Sequence, residues 1–292
     1  MIVITAPTGD IGGQVLERVL DSGEAVRVVA RDLSRLPEHV RAQAEVIQGS
    51  HGDADTITKA LEGADRLFWL VPPAGRDYAD SAEHYYLEFT RAACQVAASQ
   101  GVRVVAVTSL GHGYQGQAGL LSAALAMDEL FVAADVHYRA LALPFFMENL
   151  LRQVPAMAEQ GTWFMANASD RPLPTVATRD VAATAAALLL DASWSGQARV
   201  PLVSPETLTP EALAEVISET LGRTVHYRQT SLADFHAAMV RRGTSQAMAQ
   251  DFVSMVQAQN SGIYDAEPHD PGTARTGFRQ WCQDILKPAA HY

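Results

Sequence analysis

Three polar side chains that could donate a proton stand close together in the middle of the chain. Ser109, His112 and Tyr114 follow an apolar run over residues 102–107, and glycines separate them. Imidazole and phenol groups are common general acids, and a serine hydroxyl can orient a substrate oxygen. We therefore treat all three as candidate catalytic residues. The alternatives are that Ser109 satisfies a neighbouring backbone group, that His112 is merely exposed, and that Tyr114 shields a pocket.

The first turn of the chain, between a predicted strand and a predicted helix, is the element best suited to hold a ligand for such groups. The β-branched run over residues 2–4 predicts a buried strand, and an amphipathic helix follows from about Gly12 to Asp21. Glycines between a strand and a helix let the backbone approach a pyrophosphate, which the helix N-terminus then stabilises. An ordinary tight turn is the alternative. The predicted phosphate-binding residues are Thr8, Gly9, Asp10, Ile11 and Gly12.

The end of the second predicted strand indicates which nucleotide is preferred. This strand covers residues 25–30, and Arg31 is the first residue after it. In a dinucleotide-binding unit that position faces the adenosine ribose, where an arginine accommodates a 2'-phosphate and an acid selects the free hydroxyl. Arg31 therefore favours NADPH over NADH.

The turn resembles that of a known family. Residues 6–12 are similar to the G-A-T-G-x-x-G loop of NmrA-like proteins, a branch of the atypical short-chain dehydrogenases/reductases, with Ala6 in place of the first glycine. Residues 145–149 and 174–182 resemble two later segments of the family. The resemblance implies an α/β fold with a doubly wound parallel Rossmann sheet and NADP(H) as cofactor. We expect a cofactor domain over residues 1–150 and a smaller, mostly helical substrate-covering part over 151–292.

Further site residues follow from the predicted strand ends and from the resemblance. Parallel strands end at one edge of the sheet, where this fold binds its ligand. In the family, the third strand ends beside the adenine, which implies Ser50 or His51 there, although a solvated loop is equally compatible with His51. The other predicted cofactor contacts are Val71, Pro72, Pro144 and Phe145, and the predicted substrate contacts are Phe146, Asn149 and Trp163. Asn149 could instead cap a helix, and aromatic residues here could simply be core.

One expected residue is missing. Short-chain dehydrogenases usually lower the pKa of a catalytic tyrosine with a lysine four residues later, but the chain has only Lys59 and Lys287, and neither follows a tyrosine at that spacing. Leu125 stands where NmrA-like proteins often carry a lysine. The absence disfavours ketone reduction and favours acceptors that are already electrophilic, such as a quinone, an enone or an iminium ion. We therefore expect an NADPH-dependent reductase of a small apolar molecule, aromatic or polycyclic, of one of these types. A non-enzymatic NADP(H) sensor, which the family includes, and a cofactor-independent cyclase or isomerase are the alternatives.

Composition restricts the partners. The net charge of −11 disfavours nucleic acids and anionic membranes, so we expect a small-molecule substrate and leave a homodimer open. Cys94 and Cys282 lie far apart, and no metal-ligand spacing is present, so free thiols and no metal are expected. A first residue that leads directly into a strand, and apolar runs shorter than a membrane span, predict a cytoplasmic protein.

Overall fold

The computed structural model describes residues 1–75 and 78–290. Its strands are Ile2–Ile4 (β1), Val26–Ala30 (β2), Glu45–Gln48 (β3), Arg66–Trp69 (β4), Arg103–Ser109 (β5), Tyr138–Leu143 (β6), Phe145–Phe146 (β7), Thr162–Met165 (β8), Thr175–Val176 (β9), Gln197–Pro201 (β10) and His226–Gln229 (β11). A seven-stranded parallel sheet has the order β10-β6-β5-β4-β1-β2-β3. The strand order reverses between β1 and β4, which is the topological switch point of a doubly wound fold.

Twelve α-helices connect these strands in the described ranges, together with short 3-10 and π-helical turns. They are Asp10–Leu20 (α1), Glu38–Gln43 (α2), Ala54–Leu61 (α3), Ala82–Gln100 (α4), Leu120–Ala133 (α5), Val154–Gln160 (α6), Thr178–Leu190 (α7), Pro210–Leu221 (α8), Leu232–Arg241 (α9), Gln246–Asn260 (α10), Phe278–Trp281 (α11) and Lys287–Ala289 (α12). None of the helices within residues 1–75 and 78–290 has the length and apolarity needed to cross a membrane.

The alternation of β1 shows how the sheet is covered on both faces. Ile2 and Ile4 pack with α1 and α7 in one core cluster, whereas Val3 packs with α3 and α4 in another. Successive strand residues point to opposite faces, so an uninterrupted apolar strand is stable only when helices cover both sides. The predicted doubly wound α/β fold is confirmed.

Beyond residue 150 the chain contributes both to the seven-stranded sheet with its helices and to a separate core cluster. Helix α7 packs against α1, and β10 joins the sheet beside β6. The remaining segments form a third core cluster around the pair β8–β11 and around Phe278 and Trp281. The division near residue 150 stays a prediction.

Two helix starts differ from the sequence-based expectation. The small, flexible composition of residues 115–125 predicts a start of α5 near Ala126, whereas the helix begins at Leu120. Gly119, the N-cap residue, packs directly against the backbone of Asp251. The apolar run over residues 181–190 also predicts Asp180 as the N-cap residue of α7, and this prediction is wrong. Ala177 is the N-cap residue, and the Glu148 carboxylate accepts the Thr178 N–H at 3.1 Å.

Asp180 has a different role. Its carboxylate accepts hydrogen bonds from the backbone N–H of Thr276 at 2.7 Å and from the Thr276 hydroxyl at 3.0 Å. Glu148 also accepts from the Trp281 indole N–H at 3.0 Å. Both carboxylates therefore fasten the C-terminal segment to the first turn of α7, through contacts between residues far apart in sequence.

Candidate nucleotide and acceptor site

The turn between β1 and α1 leaves backbone donors for a ligand. Gly9 is the N-cap residue of α1 and no side chain caps this helix within the described ranges, so its first-turn N–H groups point out of the helix without an intrahelical acceptor. Thr8 is half-buried, and Gly9 and Asp10 are exposed, whereas Ile11 and Gly12 are buried. The geometry fits an anionic pyrophosphate, which such donors and the helix dipole stabilise.

Gly12 is required for a different reason from the one the sequence suggested. A Cβ on Gly12 would stand 2.2 Å from the carbonyl oxygen of Ala6 and 2.9 Å from that of Thr5. The glycine therefore allows α1 to pack against the turn, which is the role of the third glycine in this motif. Ala6 has a φ of +50°, so it adopts the left-handed conformation that its glycine counterpart would adopt freely.

Thr5 fixes the two central strands at the switch point. Its hydroxyl donates to the carbonyl of Phe68 at 2.8 Å and accepts from the backbone N–H of Leu70 at 3.2 Å. Thr5 is fully buried, so these bonds hold the end of β1 against the end of β4 in a dry environment. Sequence reasoning did not single out Thr5, because a threonine after a strand has no distinctive spacing.

Arg31 and His51 lie near one another at the ends of β2 and β3. Arg31 is exposed, whereas His51 is 7% exposed and packs edge-on against Trp69 and Phe89. The His51 Nε2 lies 3.0 Å from the carbonyl oxygen of Leu70. Since a carbonyl only accepts, the His51 Nε2 must carry the proton. Burial lowers the pKa of His51 to about 4, the hydrogen bond opposes this shift, and the charge of Arg31 lowers the pKa further.

His51 is therefore buried, and the alternative that it lies in a solvated loop is wrong. A cleft of about 470 Å³ lies against the same aromatic group and is lined by Gly52, Tyr78, Tyr85, Glu88, Phe89 and Arg91. Burial raises the pKa of Tyr85, and the charge of Arg31 opposes this larger effect by lowering it, so Arg31 lies near this residue of the cleft. Ser50 is half-buried and its hydroxyl accepts from the Gly52 N–H. Contact of Ser50 and His51 with an adenine stays a prediction.

The three candidate catalytic residues differ in what they can reach. Ser109 is buried and its hydroxyl donates to the neighbouring carbonyl of Leu110 at 2.7 Å, which is the backbone role considered above. His112 is exposed, and its Nε2 stands 3.9 Å from an Oε1 of Glu129. Tyr114 is half-buried at the margin of the C-terminal core cluster. In this conformation His112 is the most accessible proton donor of the three.

The predicted substrate-binding residues differ in how deeply they are buried. Phe145 and Phe146 form β7, pair with β9, and are half-buried, and Asn149 is half-buried in the following 3-10 helix. Trp163 is fully buried with its ring 4.8 Å from that of Tyr227, so it belongs to the core here. Among the strand-end residues, Pro72 is half-buried, and Val71 and Pro144 are buried.

A buried charged group lies beneath the β5 end. Asp128 on α5 accepts from the Thr108 hydroxyl at 2.8 Å, from the Tyr138 phenol at 2.5 Å and from Arg199 at 2.5 Å. Burial raises the pKa of Asp128, and the positive charge of Arg199 and these donors oppose the shift. Within the described ranges, no group of three His, Cys, Asp or Glu side chains is placed to hold a metal ion.

Comparison with known proteins agrees with this geometry. A family model described as NAD(P)H-binding matches residues 7–192. The chain belongs to the NAD(P)H-binding family. A second model, for the NmrA-like family, matches residues 137–276, and this confirms the resemblance seen in the sequence.

Two curated relatives of this NAD(P)H-binding protein match nearly its whole length. Quinone oxidoreductase 2 of Escherichia coli is 28% identical over 270 residues, covering 91% of this chain and 90% of that protein. The (4-alkanoyl-5-oxo-2,5-dihydrofuran-3-yl)methyl phosphate reductase of Streptomyces griseus is 27% identical and covers 96% of both chains. The crystal structure of the E. coli NADPH-dependent quinone oxidoreductase complexed with NADPH has a TM-score of 0.80 at 23% identity, covering 98% of this chain and 100% of that one. That likeness shows a shared fold.

Proposed function

We propose that this protein is an NADPH-dependent reductase of small, flat, electrophilic molecules, of the quinone, enone or iminium class. The observation that carries the proposal is the absence of a lysine four residues after Tyr114, where Ala118 stands. The two lysines of the chain, Lys59 and Lys287, are exposed, and neither follows a tyrosine at that spacing, so the chain lacks the usual tyrosine-lysine pair. Relatives named as a quinone oxidoreductase and as the reductase of an oxo-dihydrofuran support an acceptor that needs no such relay.

The preference for NADPH rests on Arg31. Its guanidinium is exposed beside His51 and Tyr85, where the ribose of a nucleotide bound at the first turn would lie. Because His51 carries no charge near neutral pH, the Arg31 guanidinium and not the His51 imidazole supplies positive charge for a 2'-phosphate at these two strand ends.

His112 is our choice for the proton donor. Reduction of a quinone to a hydroquinone would take a hydride from a reduced nicotinamide, when one is bound, and one proton for the second oxygen. His112 faces solvent and has Glu129 3.9 Å away, so it can give up a proton and recover one from water. Ser109 donates to Leu110 and is less available for this step.

A panel of acceptors tests the proposal. Purified protein would be supplied with NADPH or NADH and with quinones, enones, cyclic imines and simple ketones, and nucleotide oxidation followed by absorbance. We expect oxidation of NADPH by quinones above background and none by ketones. Tight NADPH binding without oxidation by any acceptor would instead support the nucleotide sensor or a cofactor-independent enzyme.

A further inference from the structure

Arg199 connects three elements beneath the candidate catalytic loop, which we define as residues 109–112. Its Nε donates to Glu267 at 2.6 Å, its Nη1 to Asp128 at 2.5 Å, and its Nη2 to the carbonyl of Ser109 at 2.7 Å. The side chains of Arg199, Asp128 and Glu267 are 22%, 4% and 8% exposed. A planar guanidinium can direct separate N–H groups at several acceptors, and ion pairs with such geometry are strong where water is excluded.

Glu267 holds the other end of the same loop. Its Oε2 accepts from the backbone N–H of Gly111 at 2.9 Å and from that of His112 at 3.0 Å. Burial would raise the pKa of Glu267, but the hydrogen bonds and charge of Arg199 outweigh it and lower the pKa. The carboxylate is therefore ionised near neutral pH and both its oxygens accept hydrogen bonds.

The segment that carries Glu267 is also packed onto the loop. Gly111 has a φ of +115°, and a Cβ there would lie 2.5 Å from the side chain of Ile263. Gly113, the residue directly after the loop, has a φ of +92° and lies over the carbonyl of Ala266. Residues 263–267 thus touch the loop through side-chain packing as well as through the carboxylate.

We propose that Glu267 and Arg199 are positioning residues that set the backbone of the loop and so the place of His112. This inference rests on the proposed function for its effect on turnover, while its structural part is independent of it. Two carboxylates face one guanidinium within the described residues. The Oε1 of Glu267 accepts from the Arg199 Nε, and its Oε2 accepts from the Arg199 Nη2 at 3.1 Å and from the two loop amides. Loss of Glu267 frees the N–H groups of Gly111 and His112, although Arg199 keeps Asp128 as its countercharge. Loss of Arg199 frees the Ser109 carbonyl and leaves two buried carboxylates without a countercharge.

Glu267→Gln is the most informative variant. An amide has a single acceptor oxygen, so its NH₂ group must face either Arg199 or the N–H groups of Gly111 and His112. Glu219→Gln is the matched control, because Glu219 forms a surface ion pair with Arg279 at 2.6 Å in the same half of the chain. Arg199→Lys is a second variant, since one ammonium group cannot reach all the acceptors of the planar guanidinium.

Two measurements would be made on the full-length protein, each below the melting temperature of every variant. Amide hydrogen exchange of residues 110–114 should be at least about tenfold faster in Glu267→Gln and Arg199→Lys than in the parent and in Glu219→Gln. With a quinone, kcat should fall about tenfold to a hundredfold, whereas Kd for NADPH should stay within about twofold.

The two readouts separate failure of this inference from failure of the proposed function. Equal loop exchange in parent and Glu267→Gln would overturn the anchoring. An unchanged kcat with faster loop exchange would overturn the positioning role and leave a structural one. If the parent reduces no acceptor, the proposed function has failed, and the exchange comparison alone decides whether Glu267 holds the loop.

Discussion

Gly12 lies so close to Ala6 that a Cβ built on Gly12 would stand 2.2 Å from the Ala6 carbonyl oxygen. Gly12, which identifies the phosphate-binding turn in the sequence, therefore allows close packing between α1 and that turn. Gly9 differs, because a Cβ there would meet the Ala6 oxygen at an ordinary 3.4 Å. Substitutions at the two glycines should consequently have different effects.

Gly12→Ala should lower the free energy of unfolding by about 1–3 kcal/mol, because α1 must shift away from the turn. Gly9→Ala should change it by less than about 0.5 kcal/mol, since the exposed site accepts a methyl group. Urea unfolding measures both, and NADPH titration should show weaker binding in each. A Gly12→Ala protein as stable as the parent would contradict the contact with Ala6.

Ala6→Gly should stabilise the protein. At a φ of +50° an alanine costs about 1–2 kcal/mol, and the greater chain entropy of glycine returns part of this, so a net gain of about 0.5–1 kcal/mol is expected. Ala126→Gly on α5 is the control, because glycine inside a helix should lose about 1 kcal/mol. Thermal unfolding of both variants checks the opposite signs, and a less stable Ala6→Gly protein would argue against the strained turn.

Arg31→Ala should remove the preference for NADPH. A charge-assisted bond to the 2'-phosphate contributes about 1.5–3 kcal/mol, so the ratio of the two dissociation constants should fall by about tenfold or more. Binding of NADH should change little, and this serves as the internal control. Equal affinities for NADPH and NADH in the parent would rule out the assignment of Arg31.

His51 should make the protein sensitive to acid. Its pKa falls from 6.5 in the unfolded chain to about 4 in the folded one, so the unfolded state binds the extra proton first. The associated stability is fully present above pH 6.5 and is lost as pH falls towards 4, by about 3 kcal/mol in total. His51→Gln keeps a donor for Leu70 and removes the titration.

Urea unfolding of parent and His51→Gln between pH 7.5 and 4 isolates this histidine from the carboxylates, which titrate in both proteins. The stability of the parent should fall more steeply over that interval. Parallel curves would show that His51 is not buried as a neutral ring.

The cofactor half was predictable from local patterns, because buried parallel strands and an amphipathic first helix are evident in short windows of sequence. The three charged residues that hold the candidate catalytic loop could not be predicted in this way. Asp128, Arg199 and Glu267 are unremarkable in their own segments and meet only when β10 joins the sheet and the C-terminal segment packs over β5. The start of α7 was missed for the same reason, since Glu148 caps it from another element.

The most direct test of the account is quinone reduction by Tyr114→Phe, measured as single-turnover oxidation of bound NADPH. Hydride transfer to an already electrophilic acceptor needs no tyrosine acid, so the variant should keep its rate within about threefold of the parent. Loss of a matched general acid would instead cost about a hundredfold or more. A loss of that size, or fast ketone reduction that disappears in Tyr114→Phe, would contradict a reductase that works without the tyrosine-lysine relay.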